Sequence, residues 1–165
     1  MNHRLLHKVV EQFTRMLVEN LMNTDVATVD INGTVRAAVE MMLRKHIGSV
    51  IVVTDDNPTG IVTETDVLEV GYATDDCFSE IQLNRVMSHP LITTAPNKSL
   101  RTAMRIMRDE NIKKLPVQDG TNIAGILTMT DINRQYNEIV QEIHAMEQPR
   151  GLSEAELQGL NSQYD

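Results

Sequence analysis

A Thr-x-Thr-Asp pattern, preceded by Gly and two apolar residues, occurs twice in the chain, at Gly60–Asp66 and Gly125–Asp131. Each copy is typical of a buried strand that runs directly into a helix. The helix N-terminus offers unpaired backbone N–H groups and the positive end of the helix dipole, which suit an anion such as phosphate. The adjacent Asp suits a pair of sugar hydroxyls. Two copies predict two sites, although the same residues can simply be helix N-caps.

The two copies belong to a longer internal repeat. A shift of 65 residues aligns residues 22–69 with residues 87–134 without a gap, and 14 of the 48 aligned positions are identical. The identical pairs include Thr28 with Thr93 and Ile47 with Ile112. An ungapped register over this length indicates a duplicated structural unit.

Each repeat predicts the order β-α-β-β-α. In the first repeat we expect a strand at 26–29, a helix at 35–45 after the N-cap Thr34, strands at 50–53 and 60–63, and a helix from Thr65. The second repeat has its predicted elements 65 residues later, with Ser99 as the N-cap. A three-stranded sheet with two helices cannot close a core alone. The predicted fold is therefore α/β of the α+β kind, with the two repeats packed as a pseudo-two-fold pair.

An N-terminal amphipathic segment, residues 1–21, precedes the repeats. Apolar residues at steps of three and four predict a helix over 3–21. It either packs on its own domain or lies against a partner subunit. His3 and His7 are four residues apart on this helix, and we expect them to be solvent-exposed rather than metal ligands.

The repeats are joined by a connector, residues 70–86, which predicts a short helix at 79–86. Its Cys77 is the single cysteine of the chain, and we interpret it as structural or incidental. A helical extension, residues 135–165, follows the second repeat. It predicts a continuation of the last repeat helix and a further short helix at 153–160 that begins with a capping box.

Composition narrows the class of protein. The chain has 165 residues, 41% of them hydrophobic, which is typical of a globular domain. Its net charge of −8 argues against nucleic-acid binding. No apolar run approaches the roughly 20 residues of a membrane span, and no signal-peptide core is evident. We therefore expect a cytoplasmic protein with no metal site, no membrane association and no nucleic-acid partner.

Several motifs in order resemble paired cystathionine-β-synthase (CBS) domains, which form a Bateman module. They are Met-Ser-His-Pro-Leu-Ile-Thr-Thr at 87–94, Ile-x-x-Leu-Pro-Val at 112–117 and the two Thr-x-Thr-Asp endings. The resemblance covers residues 22–134, about two-thirds of the chain, and suggests a stand-alone CBS pair. It implies a pair that binds an adenosine-containing ligand (AMP, ADP, ATP or S-adenosylmethionine), requires no cofactor and forms a homodimer shaped as a flat disc.

The resemblance also implies that each ligand site combines residues of both repeats, with Asp on the ribose hydroxyls and Thr on the phosphate. The first site would contain Thr28, Ile47, Gly48, Thr128, Thr130 and Asp131. The second would contain Thr93, Ile112, Lys113, Lys114, Thr63, Thr65 and Asp66. We expect phosphate preference to depend on Lys113 or Lys114, and the site at Gly48 to be less charged. Glu64 disfavours a polyphosphate and favours a sulfonium or uncharged adenosine ligand.

Two functional hypotheses follow. In the first, the pair is a regulatory sensor that changes conformation on binding and acts through a partner protein that the sequence does not identify. In the alternative, it is a structural dimerisation module with non-functional ligand sites. An enzyme is not expected, because the sequence shows no Ser/His or Cys/His set and no P-loop.

Overall fold

The computed structural model describes residues 3–147, and the side chains of residues 7–145. The first half of this range contains α1 (His3–Arg15), β1 (Thr28–Asp30), α2 (Val35–Lys45), β2 (Ser49–Thr54), β3 (Asn57–Thr63) and α3 (Glu64–Ala73). The second half contains α4 (Leu100–Asp109), β4 (Lys114–Asp119), β5 (Asn122–Thr128) and α5 (Met129–Glu147). The mixed α+β class is as predicted. Helices α2 and α4 begin at the predicted residues because Thr34 and Ser99 cap their first turns.

The first repeat forms a three-stranded sheet in the order β1-β2-β3, with β1 parallel and β3 antiparallel to β2. The central strand β2 consists largely of valine and isoleucine, whose branched side chains favour the extended conformation. Val50 and Val52 of β2 are buried and form one core cluster with the inner face of α2. This core holds β2 and α2 together behind the turn that joins them.

The sheet of the second repeat contains two strands, β4 and β5, within the described residues. The prediction of a strand at 91–94 is therefore wrong. Thr94 alone of these residues pairs with β4, through an isolated parallel bridge to Val117. The two repeats thus differ where the sequence predicted the same opening strand.

Two prolines explain this difference. In the first repeat, the N–H groups of Ile31 and Ile51 donate hydrogen bonds that extend the β1–β2 ladder at both ends. The aligned positions in the second repeat are Pro96 and Pro116, which have no N–H group to donate. The ladder is reduced to the hydrogen bonds in which Thr94 takes part.

The opening segment of each repeat pairs with the other repeat. Asn23 forms an antiparallel bridge with Ile126 of β5, and Ser88 forms one with Ile61 of β3. The glycine that begins each Thr-x-Thr-Asp pattern permits this close approach. A Cβ on Gly125 would lie 2.9 Å from the carbonyl oxygen of Asn23, well inside van der Waals contact. The two repeats are therefore interlocked rather than merely adjacent.

Helix α1 packs on the second repeat of its own chain, which is the first of the two predicted placements. Val9 and Phe13 are buried in the core cluster that contains the inner faces of α4 and α5. The ring of Phe13 meets Tyr136 of α5 edge-to-face, with ring centroids 5.9 Å apart. Helix α1 therefore covers the helical face of the second repeat.

The predicted helix 3–21 is too long. Helix α1 ends at Arg15, and a separate 3₁₀ turn occupies Val18–Asn20. The reason is tertiary: the N–H group of Val18 donates to the carbonyl oxygen of Lys98 at 2.8 Å, in the loop before α4. The chain adopts an extended conformation at Leu17 to make this contact.

The connector between the repeats contains a 3₁₀ turn at Leu83–Arg85 instead of the predicted helix 79–86. Ile81 and Leu83 are buried in the first core, and this anchoring replaces a continuous helix. Cys77 is exposed. The predicted helix at 153–160 lies outside the described residues.

Candidate ligand-binding cleft

Both Thr-x-Thr-Asp patterns form a reciprocal cap at the start of a helix. The Asp66 carboxylate oxygen Oδ2 accepts hydrogen bonds from the backbone N–H and hydroxyl of Thr63 at 2.7 and 2.6 Å. Asp131 Oδ2 accepts the same pair from Thr128 at 3.3 and 2.5 Å. In both caps the Thr hydroxyl also accepts from the Asp N–H. The N-cap interpretation is thus correct for both copies, and the second carboxylate oxygen, Oδ1, lies outside the cap.

A cleft of about 380 Å³ lies between the two repeats at the start of α5. On one side it is lined by the opening segment and the α2–β2 turn of the first repeat: Asn23, Asp25, Val26, Ala27, His46, Ile47, Gly48, Ser49 and Ile51. On the other side lie Ile126, Thr128, Thr130 and Asp131, with Glu64 and Lys114 at the contact between the repeats. We call this space the first cleft.

The structure brings together five of the six residues predicted for the first site: Ile47, Gly48, Thr128, Thr130 and Asp131 all line the first cleft. Thr28, the sixth, is exposed on β1. The preceding residues Val26 and Ala27 line the cleft instead.

Lys114 lies apart from the residues with which it was predicted to form the second site. It was expected in the second site, whereas its side chain lines the first cleft. Its ammonium donates a hydrogen bond to the carbonyl oxygen of Gly48 and lies 3.9 Å from the Glu64 carboxylate. Lys113 is exposed. Lys113 precedes β4, which begins at Lys114, and it does not line the first cleft.

The environment of Lys114 is only partly favourable to its charge. Its side chain is 24% exposed, and burial lowers the pKa of its ammonium, while Glu64 and then Asp66 act in the opposite direction. The cation of the predicted second site therefore belongs to the first cleft. The first cleft is more charged than the sequence indicated.

Gly48 leaves space for this contact between the repeats. A Cβ at this position would collide with the Lys114 ammonium and the Glu64 carboxylate. The aligned residue in the second repeat is Lys113. Because Gly48 has no side chain, the first repeat has room for the Lys114 side chain of the second repeat.

The residues predicted for the second site are more scattered. Thr63 and Asp66 form the cap of α3, and Thr65 is exposed in its first turn. Ile112 lines a different space, a groove between α1 and α4, and Thr93 is half-buried in the loop before α4. By contrast, the aligned residues of the first repeat are Ile47, which lines the first cleft, and Thr28, which is exposed on β1.

Metal binding receives no support from the described residues. They contain no group of three or more His, Cys, Asp or Glu side chains that could hold a metal ion. His7 is 73% exposed and lies 3.9 Å from Glu11, while the side chain of His3 falls outside the described set. Within the same range, no helix is long and apolar enough to cross a membrane.

The comparison with known families identifies the class of protein. The model of the CBS domain matches residues 18–72 and 82–138. The chain is also 31% identical over 123 residues to the CBS domain-containing protein YhcV of Bacillus subtilis, covering 73% of this chain and 87% of that protein. The chain belongs to the CBS-domain family and contains two CBS repeats. It spans 36%, 47% and 32% of three further curated relatives that it matches.

Solved structures share the fold at lower identity. One is a CBS domain pair in complex with 5'-methylthioadenosine and S-adenosyl-L-methionine, with a TM-score of 0.68 at 22% identity, covering 74% of this chain and 97% of that one. Another is a hexameric CBS-CP12 protein from bloom-forming cyanobacteria, with a TM-score of 0.69 at 23% identity, covering 90% of this chain and 80% of that one. At these identities the likeness establishes the fold alone.

Proposed function

We propose that this chain is a regulatory CBS pair that binds an adenosine-containing ligand in the first cleft. The observation that carries the proposal is the convergence of both repeats on one cavity, with Ile47 and Gly48 facing Thr128, Thr130 and Asp131. Apolar walls with a few convergent polar groups at a boundary between structural units are typical of small-molecule sites. The related domain pair that was solved with two adenosine compounds supports this ligand class.

Each part of such a ligand has a matching group in the cleft. The side chains of Val26, Ile47 and Ile51 offer an apolar wall for adenine. Asp131 keeps Oδ1 outside its helix cap, 3.8 Å from the guanidinium of the exposed Arg134, so Oδ1 can accept hydrogen bonds from the ribose hydroxyls. In the first turn of α5, the N–H groups of Met129 and Asp131 donate to the Lys113 carbonyl and the Thr128 hydroxyl, so the N–H and hydroxyl of Thr130 are the groups that suit an anionic group.

The first cleft can distinguish adenosine ligands by their charge. Lys114 offers one cation, and the nearby Glu64 partly offsets it. The phosphate of AMP, ADP or ATP, or the carboxylate of S-adenosylmethionine, would compete with Glu64 for the ammonium of Lys114. We therefore expect the first cleft to prefer a ligand that carries one anionic group over an uncharged adenosine.

A second site remains part of the proposal, with the predicted residues except Lys114. The cap residues Thr63 and Asp66, with the exposed Thr65, repeat the arrangement at the start of α5. They would combine with Thr93, Ile112 and Lys113 of the second repeat. Since Lys114 lines the first cleft, Lys113 is the cation left for this site.

The proposed mechanism is sensing rather than catalysis. A ligand in the first cleft contacts both repeats, so its binding free energy favours the relative placement of repeats that best closes the cleft. A regulated protein partner would recognise that placement. The runner-up hypothesis is a structural dimerisation module whose clefts bind nothing, and its distinguishing feature is the absence of ligand affinity.

Asp131→Ala tests the assignment of the first cleft, with Asp66→Ala as the matched control because it removes an equivalent helix cap. We expect Asp131→Ala to weaken AMP binding by roughly 10- to 100-fold, the effect of losing about one or two charge-assisted hydrogen bonds. Asp66→Ala should leave the first cleft intact and weaken any second, independent site. Equilibrium dialysis with AMP and 5'-methylthioadenosine measures both, and circular dichroism checks that each variant is folded.

The outcomes separate the hypotheses. Unchanged affinity in both Asp variants contradicts the site assignment. No binding of either ligand to the wild-type chain at millimolar concentration leaves the structural module. Hydrolysis of ATP by the wild-type chain would show an enzyme.

We also propose a homodimer formed through the helical face of the first repeat. Leu43 of α2 and Leu68 and Tyr72 of α3 are exposed to 71%, 73% and 95%. Large apolar side chains grouped on adjacent helices indicate an interaction surface. Leu68→Glu with Tyr72→Glu should give a monomer in sedimentation velocity, whereas the exposed hairpin variant Thr121→Glu should not. An unchanged dimer in the double variant would place the interface elsewhere.

A further inference from the structure

The groove between α1 and α4 is a second large concave surface, separate from the first cleft, with a volume of about 950 Å³. Its apolar lining comes from both helices and the turn after α4: Val10, Phe13, Met104, Met107, Ile112 and Met129. Three arginines of α4, Arg101, Arg105 and Arg108, also line it. We call this surface the α1–α4 groove. It has an apolar floor and a basic rim.

The three arginines lie on one side of α4, because they are four and three residues apart. Arg108 contacts the Asp109 carboxylate at 2.7 Å. Within the described part of the chain, Arg101 and Arg105 have no carboxylate partner among the ion pairs. In a chain with a net charge of −8, this is a concentrated basic surface. It suits an amphipathic segment with acidic residues.

The aligned positions of α2 show that this surface is specific to the second repeat. Arg101, Arg105 and Arg108 correspond to Arg36, Glu40 and Leu43. One position is basic, one acidic and one apolar, so α2 has no equivalent row of charge. The row is therefore not a general feature of the repeat, and α2 is a matched internal control.

The chain itself contains a segment with the complementary pattern. Residues 148–165 lie outside the described structure, and Glu154, Glu156 and Asp165 follow Arg150 with no further basic residue. Leu157, Leu160 and Tyr164 are spaced at i, i+3 and i+7, which is one face of a helix. The capping box at Ser153 and Glu156 gives this helix a start. The pattern combines an apolar stripe with negative charge.

We propose that residues 153–164 form a helix that docks in the α1–α4 groove of the same chain. Leu157, Leu160 and Tyr164 would contact the apolar floor. Glu154 and Glu156 flank this apolar stripe on opposite sides, and the glutamate on the side of α4 would meet its arginines. The occupant proposed is thus this chain's own C-terminal segment, identified by its charge and its apolar spacing.

The connection is long enough for docking within one chain. Helix α5 packs against α1, which forms one wall of the groove, and α5 ends at Glu147. Residues 148–152 can span up to about 17 Å when extended. A helix over 153–164 is about 18 Å long, and Arg101 to Arg108 covers about 10 Å along α4. Along α5, Glu147 lies about 27 Å from Met129, which lines the groove, whereas the connection and the segment together span about 35 Å, so the segment can reach the groove.

The groove and the first cleft lie on either side of the strand–helix junction at the start of α5, so docking in the groove would affect this junction. Met129 lines the groove, whereas its neighbours Thr128 and Thr130 line the first cleft. A docked segment would contact one side of this junction from the face opposite the cleft. Docking itself does not depend on a ligand, so it can be tested on the protein alone.

Paramagnetic relaxation in the full chain provides the test. In a Cys77→Ser background, Ser162→Cys carries a nitroxide label on the proposed segment. We expect strong broadening of the amide signals of 101–108 and 10–14, and none at the aligned α2 positions 36–43. Arg101→Glu with Arg105→Glu should abolish the broadening. Adding Glu154→Arg and Glu156→Arg to that variant should restore it.

The origin of any broadening is resolved by mixing. Isotope-labelled chain without nitroxide, mixed with unlabelled chain that carries it, should show no broadening if docking is within one chain. If the signals of 101–108 broaden in the mixed sample, the groove binds the segment of a second copy, and the proposal is overturned. An absence of broadening at 101–108 in the first experiment, or equal broadening along α2, would also overturn it.

Discussion

The two repeats present their helical faces to different surroundings. In the first repeat, α2 and α3 leave Leu43, Leu68 and Tyr72 exposed. In the second, α4 and α5 are covered by α1, which buries Val9 and Phe13 against them. Yet 14 of 48 aligned residues are identical and the element order is almost the same. The positions aligned with these three residues are Arg108, Asn133 and Asn137. Both the residues of the repeat and the presence of α1 thus decide which face is available to a partner.

The two sheets differ for a more local reason. The prolines at 96 and 116 remove the two N–H donors that lengthen the parallel ladder in the first repeat. Single substitutions therefore separate two otherwise equivalent units. The following experiments act on these differences, in order of the expected effect.

Removing the main contact of α1 should have the largest effect. Phe13→Ala should lower the free energy of unfolding by about 3 kcal/mol, because it removes a buried aromatic ring and leaves a cavity. The matched control is Leu43→Ala on the exposed face of α2, made in the monomeric Leu68→Glu, Tyr72→Glu background so that the proposed dimer contributes nothing; it should change the free energy of unfolding by about 0.5 kcal/mol or less. Urea unfolding measures both. Equal losses would show that the two helical faces are covered to the same extent.

Restoring a ladder donor should make the second sheet resemble the first. Pro96→Ala provides an N–H group at the position aligned with Ile31, which donates to Val53 in the first repeat. We expect the new amide to be protected from hydrogen exchange by its bond to Gln118. The gain of about 1 kcal/mol from the hydrogen bond is offset by about 0.4–1 kcal/mol of added unfolded-chain entropy. An unprotected amide at position 96 would reject the proline explanation.

Lys114→Met should have the smallest effect on stability, on the order of 0.5 kcal/mol at neutral pH. Burial lowers the pKa of the Lys114 ammonium below its ordinary value of 10.5, so between the native pKa and 10.5 the unfolded chain binds more protons than the folded chain. The stability of the wild type should therefore rise with pH through that window relative to Lys114→Met. Urea unfolding at pH 7 and 10 measures this difference. The exposed control Lys113→Met should retain the wild-type pH dependence of stability. If Lys113→Met lost this pH dependence, the placement of Lys114 would be contradicted.

Much of the fold follows from local signals. The helix caps at Thr34 and Ser99, the branched residues of β2 and the spacing of buried residues in α2 and α4 all depend on neighbours in the chain. The missing strand at 91–94 was visible in principle, because Pro96 and Pro116 occupy donor positions. The alignment of the two repeats still favoured a strand at 91–94, because most of the other aligned positions match in polarity.

The candidate site was only partly predictable. Thr128, Thr130 and Asp131 follow from the local pattern, and Ile47 and Gly48 from the family resemblance, and all line the first cleft. Lys114 could not be assigned from its position in the sequence. Its side chain reaches Gly48, 66 residues away, and only the packing of one repeat on the other brings them together.

The sequence by itself determined that the chain contains two similar units that share the order α-β-β-α, each with a capped strand–helix junction. These features rest on hydrogen bonds and side-chain periodicity within a few residues of each other. The tertiary structure decided which junction faces a cleft, where the cation lies and which helical face α1 covers. These depend on contacts between segments far apart in the chain, whose geometry no local pattern encodes.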